Sequence, residues 1–178
     1  GWIPDNYYGD VVVPKWQGTY GKISDLRPLN ALLYRSDAFP DLLSYMNGFF
    51  FDTAYRPVPQ EVVKEILFYD RDHVVFKLNN SRRGRGFHVF DAQSFNVEQV
   101  RNLGNGLFQS FIDQHPALAQ FAPASVATIR ITTVVEENGD VSVRASNLRL
   151  GSGVDTHVQS QSQILVSVDR QSGALSGI

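Results

Sequence analysis

The sequence predicts an α+β fold with antiparallel sheets and packed helices, and three observations carry that expectation. Runs of β-branched and aromatic residues alternate with polar ones at the two-residue period of half-buried strands. Asn-Gly pairs at Asn47-Gly48 and Asn138-Gly139 separate neighbouring runs, and such pairs supply the positive φ angles of tight hairpins. Short segments with apolar residues three and four apart stand between the runs and read as helices.

The first 35 residues are rich in Trp, Tyr, Pro and Gly and read as irregular, with one helix over 29–35. Residues 39–52 hold two short apolar runs around Asn47-Gly48, a hairpin. Pro57 and Pro59 open a helix over 58–68, whose buried face is expected at Val62, Val63, Ile66 and Leu67. Residues 73–79 and 86–91 read as strands flanking a basic loop. A short helix over 96–103 is stopped by Gly104 and Gly106, and 107–114 reads as a strand. Pro116 begins a turn of helix. Residues 125–150 form the clearest hairpin, turning at Glu137-Asn138-Gly139-Asp140, and 163–177 repeats the pattern with its turn at 169–173. There is no internal repeat and no low-complexity tract.

The chain has 178 residues, 43% hydrophobic and 12% aromatic, enough for one domain or two small lobes sharing a core. A net charge of −2 argues against a protein that coats nucleic acid or anionic membrane, so anion binding must come from local charge. The absence of cysteine excludes disulfides and thiolate metal sites. His73, His88, His115 and His157 show no metal-ligand spacing, and no zinc is expected. No apolar stretch approaches the ~18–20 residues that span a bilayer. With no basic segment preceding an apolar one, a cytoplasmic location is expected. The opening Gly1 and the close at Leu175-Ser176-Gly177-Ile178 read as the ends of a piece cut from a longer chain.

The basic loop is the sharpest local feature. Alternation puts Val75 and Lys77 on one face and Val74, Phe76 and Leu78 on the other, so Lys77 interrupts an apolar pattern just before the loop. A lysine there places a point charge beside a phosphate. Gly84 and Gly86 let the main chain approach a ligand, and Arg82, Arg83 and Arg85 add charge-assisted hydrogen bonds. The competing readings are a solvated hairpin tip and a short RNA-binding tract. Trp2, Trp16 and Phe49-Phe50-Phe51 read as packing, and Glu136-Glu137 as a solvated tip.

Residues 76–90 (FKLNNSRRGRGFHVF) resemble the phosphate-covering hairpin of ATP-grasp enzymes. Residues 107–155 are similar to the sugar-transfer-associated branch of that superfamily. The matching motifs are Gln109, Gln114-His115-Pro116, Ser125-Val126-Ala127-Thr128-Ile129-Arg130-Ile131-Thr132-Thr133, Arg149-Leu150-Gly151 and Asp155. Residues 22–26 and 39–52 match the family's opening, so the resemblance covers most of 22–178. It implies two α+β lobes holding ATP, here 1–106 and 107–178 with the second incomplete. The implied reaction phosphorylates a carboxylate and lets an amine or similar nucleophile attack the acyl phosphate. Under that resemblance Lys77 contacts the α/β-phosphates, and Ser81, Arg82, Arg83, Gly84, Arg85 and Gly86 close over the β/γ-phosphates. Residues 109–113 form the hinge, with the backbone of Gln109, Ile112 and Asp113 at the adenine edge and Asp113 or Gln114 at the ribose. Arg130 and Arg149, read as inward-pointing charges, stabilise the transferring phosphoryl group.

The chain departs from the family at Ser24-Asp25-Leu26, where a lysine is missing unless Lys22 or Arg27 substitutes, and at Thr156, where Asn is usual. The Mg²⁺ ligands are expected outside this chain. Implied partners are therefore ATP and a carboxylate-bearing small molecule, with no DNA and no membrane span. Cell-surface polysaccharide biosynthesis is an association carried by the resemblance. Self-association is also expected, because the sheet from 124–174 would lack strands. The alternatives are an inactive scaffold of the same fold that binds nucleotide or an anionic sugar, and an RNA-binding or interaction module using Ser81-Arg82-Arg83-Gly84-Arg85-Gly86.

Overall fold

The computed structural model describes residues 3–81, 86–152 and 163–176. The chain divides into two compact units, Gly1–Phe111 and Ile112–Ile178. Each carries its own antiparallel sheet, so the fold class is α+β as the sequence predicts.

The first unit opens with short helical turns, including Asp5–Tyr7 (α1), Val13–Gln17 (α2) and Asn30–Tyr34 (α3). Neither α2 nor α3 has a side-chain cap, and α3 ends at Arg35 in the left-handed region (φ 48°), which keeps it to five residues. Trp16, expected to pack, is exposed. Then come Asp41–Met46 (β1), Phe49–Phe51 (β2), Pro57–Val58 (β3), Gln60–Phe68 (α4), His73–Leu78 (β4), Phe87–Asp91 (β5), Val97–Leu103 (α5) and Gly106–Ser110 (β6). The sheet order is β3-β2-β1-β6-β4-β5. The β1–β2 turn has φ 50° at Asn47 and φ 93° at Gly48, the two positive angles that a type I′ turn demands.

One face of this sheet is the core. Leu43, Tyr45, Phe50, Val74, Phe76, Phe90 and Phe108 meet Val63 and Leu67 of α4 and Val100 of α5, with Phe95 beside them. The Phe76 and Phe108 ring centroids are 4.5 Å apart. Each such side chain taken fully out of water contributes about 1.5–3 kcal/mol, so this aromatic layer dominates the unit's stability. Helix α4 buries only Val63 and Leu67, one i,i+4 row; Val62 and Ile66 face solvent, because the helix meets the sheet along a narrow line. In the Phe49-Phe50-Phe51 run, only Phe50 is buried and Phe49 is exposed, as strand alternation requires.

Helix α5 starts at Asn96, whose side chain accepts the Glu98 N–H at 2.9 Å, and stops at Gly104 (φ 98°). Gly106, read as a second stop, instead begins β6. A Cβ there would lie 2.5 Å from Phe76 Cζ and 2.7 Å from the Lys77 carbonyl oxygen. The absence of a side chain is what lets β6 close against β4. The first unit therefore extends through Phe111, past the break expected after residue 106, because β6 is hydrogen-bonded into its centre.

The second unit contains Pro116–Ala119 (α6), Thr128–Val135 (β7), Val141–Gly151 (β8), Gln163–Val168 (β9) and Leu175–Ser176 (β10), ordered β10-β9-β8-β7. Its core is small: Ala122, Leu148 and Leu150, with Leu118, Ala127, Val166 and Val168 against them. The β7–β8 turn is longer than a two-residue hairpin. Gly139 alone takes a positive φ (88°), and Glu136 N–H bonds to Asp140 O at 2.8 Å while Gly139 N–H bonds to Glu136 O at 2.9 Å. Glu136, expected to be solvated, accepts from Arg144 and Ser142. Strand β7 is the sheet's edge and is exposed along its length, Ile129 and Ile131 included. No helix among the described residues is long and apolar enough to cross a membrane.

Gly106→Ala should destabilise the first unit by about 1–3 kcal/mol, the usual cost of overpacking a filled site. Urea denaturation should show a lower midpoint with an unchanged slope.

Candidate functional site

The face of the first sheet opposite its core is polar. Pairing of Val75 with Gln109, Lys77 with Leu107, and Gln109 with Asp41 sets Lys77, Gln109 and Asp41 on that face across three adjacent strands. Gln109 is 8% exposed, and its Nε2 donates to Asp41 Oδ1 at 2.6 Å. Burial holds the Asp41 carboxyl above its ordinary value, while the Gln109 hydrogen bond and the Lys77 charge pull it back. Burial likewise pushes the Lys77 ammonium below its ordinary value. The Arg27 charge adds to that shift and Asp41 opposes it. Two opposite charges thus share a poorly hydrated face without forming a direct ion pair.

Beyond Lys77 the chain enters the basic loop through a fixed neck. Leu78 N–H bonds to Gly86 O at 2.8 Å, joining the loop's two ends. Arg27 Nε donates to Leu78 O at 3.0 Å, and its Nη2 donates to Ser81 O at 2.9 Å and Ser81 Oγ at 3.2 Å. Ser81 Oγ donates to Leu78 O at 2.8 Å. Gly86 (φ 71°) is required here, since a Cβ would come within 2.8 Å of Ser81 Cβ and 2.9 Å of Leu78 Cβ. The sequence offers Arg27 as a stand-in for a missing lysine. In the structure, its guanidinium is a staple on the neck.

Lys77, Ser81 and Gly86 are therefore gathered at one place. Arg82, Arg83, Gly84 and Arg85 lie outside the described residues, as do Asp155, Thr156 and His157 and the Lys22 side chain. Gln109 sits in a strand paired on both sides, so its backbone belongs to the sheet ladders and only its side chain acts, on Asp41. Ile112 and Asp113 follow the end of β6, are exposed, and make no backbone hydrogen bond among the described residues. Gln114 is structural: Nε2 donates to Ser125 O at 3.2 Å, and Oε1 accepts from Ala127 N–H at 3.2 Å. His115 Nδ1 caps α6 by accepting from Ala117 N–H at 3.2 Å.

In the second unit Thr128 pairs with Arg149, which puts Arg130 and Arg149 on one face of that sheet. Arg149 is half-buried, and its Nε donates to Gln163 Oε1 at 2.5 Å. Arg130, expected to point inward, is exposed on the edge strand among threonines. Among the described residues no group of three or more His, Asp or Glu side chains is gathered to hold a metal.

No family model, curated protein or solved structure matches the chain. Asp41 is the functional residue that sequence reasoning misses. Its partner lies 68 residues away and becomes its neighbour only because β6 inserts beside β1.

Asp41 has a raised value in the folded chain, so its contribution to stability is complete below its ordinary value of 3.8 and is lost as pH rises through the raised one. Asp41→Asn keeps an oxygen for Gln109 and removes the charge. Its thermal midpoint relative to the parent should climb as pH rises through that window. In Lys77→Met the Asp41 carboxyl should titrate higher still, read by carboxyl-carbon NMR; an unchanged value would separate the two groups.

Proposed function

We propose that the polar face of the first unit binds the phosphates of a nucleotide, and that the chain is the ATP-binding part of an ATP-grasp ligase. Such an enzyme activates a carboxylate as an acyl phosphate for attack by an amine or similar nucleophile. One observation carries the reading: the Lys77 ammonium stands half-buried one residue before a clamped glycine- and arginine-bearing loop, with the Arg27 guanidinium close enough to disfavour its charge. Two cations held together away from water gain from an anion set between them, and phosphate oxygens supply that charge with matching acceptors. The neck at Leu78 and Gly86 supports the same reading, because it fixes where the loop begins and ends.

The exposed, unbonded backbone at Ile112 and Asp113 offers donors and acceptors to the edge of a base. Arg130 and Arg149 share a face of the second sheet, in the other unit, and a role for them toward a phosphoryl group is carried by the resemblance alone. Mg²⁺ would neutralise phosphate charge in such an enzyme, but no group of three or more His, Asp or Glu side chains among the described residues is gathered to hold it. A polysaccharide context rests on the resemblance, and a cytoplasmic location on the sequence reading above.

Lys77→Ala should weaken ATP binding about ten-fold or more, since a charge-assisted hydrogen bond contributes ~1.5–3 kcal/mol. Calorimetric titration measures this, with the thermal midpoint confirming an intact fold. Amide exchange at Ser81 and Gly86 should slow when ATP binds. Equal ATP affinity in mutant and parent would sink the phosphate assignment. Binding of RNA that ATP does not disturb would replace the assignment with the RNA-module reading.

A further inference from the structure

A second feature of the first unit shares Asp41 with the polar face but does not include Lys77. A cavity of about 260 Å³ opens on the polar face of β1, walled by Pro28, Ala31, Phe39 and Tyr55. Three carboxylates line it, in different states. Asp52 is fully engaged: its Oδ1 accepts the Ala54 and Arg56 N–H groups at 2.9 Å, and its Oδ2 pairs with Arg56 at 2.7 Å. Asp41 has one oxygen on Gln109 and no ion-pair partner, and Asp37 has neither hydrogen bond nor ion pair among the described residues.

The deciding group is Ser44. It is 4% exposed and lines the cavity, yet its hydroxyl has no hydrogen-bond partner among the described residues. Its Oγ opens on the cavity instead of being sealed in the protein, since the sealed side-chain polar atom without a partner among the described residues is Asn79 Oδ1. The cavity is therefore the side from which a partner reaches it. The aim of Ser44 is set by an irregularity in β1. Asp41 pairs with Gln109, Leu43 pairs with Phe108, and the register shifts between them. Asp41 and Ser44, three residues apart, would point to opposite faces of a regular strand. The extra residue brings both to the polar face, where Ser44 pairs with Leu107, another lining residue.

We propose that this cavity binds the primary ammonium group of a small organic molecule, held by Asp41, Asp37 and the Ser44 hydroxyl. An ammonium offers three donors and no acceptor, matching two carboxylates without an ion pair and one hydroxyl oxygen. The Phe39 and Tyr55 side chains bound the space left for the molecule's apolar body, and the Tyr55 hydroxyl is already donated to Pro28 O at 2.9 Å. A metal ion is disfavoured, since no three acidic or histidine groups converge among the described residues. A neutral polyol could also donate to these oxygens, but it would bring no positive charge to Asp41 and Asp37, neither of which has an ion-pair partner among the described residues.

The test is an NMR titration of the chain with n-butylammonium, n-butanol and glucose. The ammonium should give saturable shifts at Asp37, Asp41, Ser44 and Tyr55, and the two neutral probes should bind at least about ten-fold more weakly, the loss expected for one charge-assisted hydrogen bond. Asp41→Asn should weaken the ammonium by a similar factor, and Ser44→Ala should weaken it several-fold without lowering the thermal midpoint. Should Ser44→Ala fail to fold, Asp41→Asn carries the comparison alone. Equal binding of n-butanol shows an apolar cavity, and stronger binding of glucose shows a polyol site. Either of these, no saturable ammonium binding, or parent-like affinity in Asp41→Asn overturns the proposal.

Discussion

The insertion of β6 between β1 and β4 is the constraint on which the first unit depends. Five residues meet demands from both sides of the sheet at once. Phe108 completes the aromatic layer with Phe76, Phe90 and Phe95. Gly106 permits the close approach to Phe76, and Gln109 turns the other way to hold Asp41. Core and polar face are therefore not separable: a shift of β6 by one residue would exchange the faces of Phe108 and Gln109. A buried amide and a displaced phenyl ring would result together.

The polar face is held in a state the chain alone does not favour. Asp41 and Lys77 both carry charges that burial opposes, and Arg27 sits where its charge acts against Lys77. Removing such charges from a fold is often neutral or stabilising, so their presence contributes little to folding. The aromatic layer behind the sheet supplies the stability that tolerates them.

Local signals in the sequence reached as far as local physics does. Asn47-Gly48 marked a true two-residue hairpin, and alternation assigned the faces of Val74, Val75, Phe76 and Lys77 correctly. The second Asn-Gly pair misled, because only Gly139 adopts a positive φ and the turn closes from Glu136 to Asp140. Helical periodicity overestimated the buried face of α4, since the pattern cannot tell how wide a groove the sheet will offer. At the candidate site, Lys77, Ser81 and Gly86 were readable because they are close in sequence. Asp41–Gln109 and the grip of Arg27 on Leu78 were not, because each depends on strand order and spans more than fifty residues. Gln114 looked like a ligand residue and is a loop brace, a role that only the positions of Ser125 and Ala127 disclose.

The irregularity in β1 gives this strand an unusual tolerance. Around Leu42 the strand carries one residue more than its partner, and the bulge absorbs it, so Asp41 and Ser44 share a face although they are three apart. Loss of that one residue would restore a regular strand without changing any face: Asp41 would stay opposite Gln109, Leu43 opposite Phe108 and Ser44 opposite Leu107. What the bulge forbids is being straightened at full length, which would turn the serine into the phenylalanine layer. Homologous chains one residue shorter at Leu42 should therefore keep the cavity, in a strand that has lost its kink.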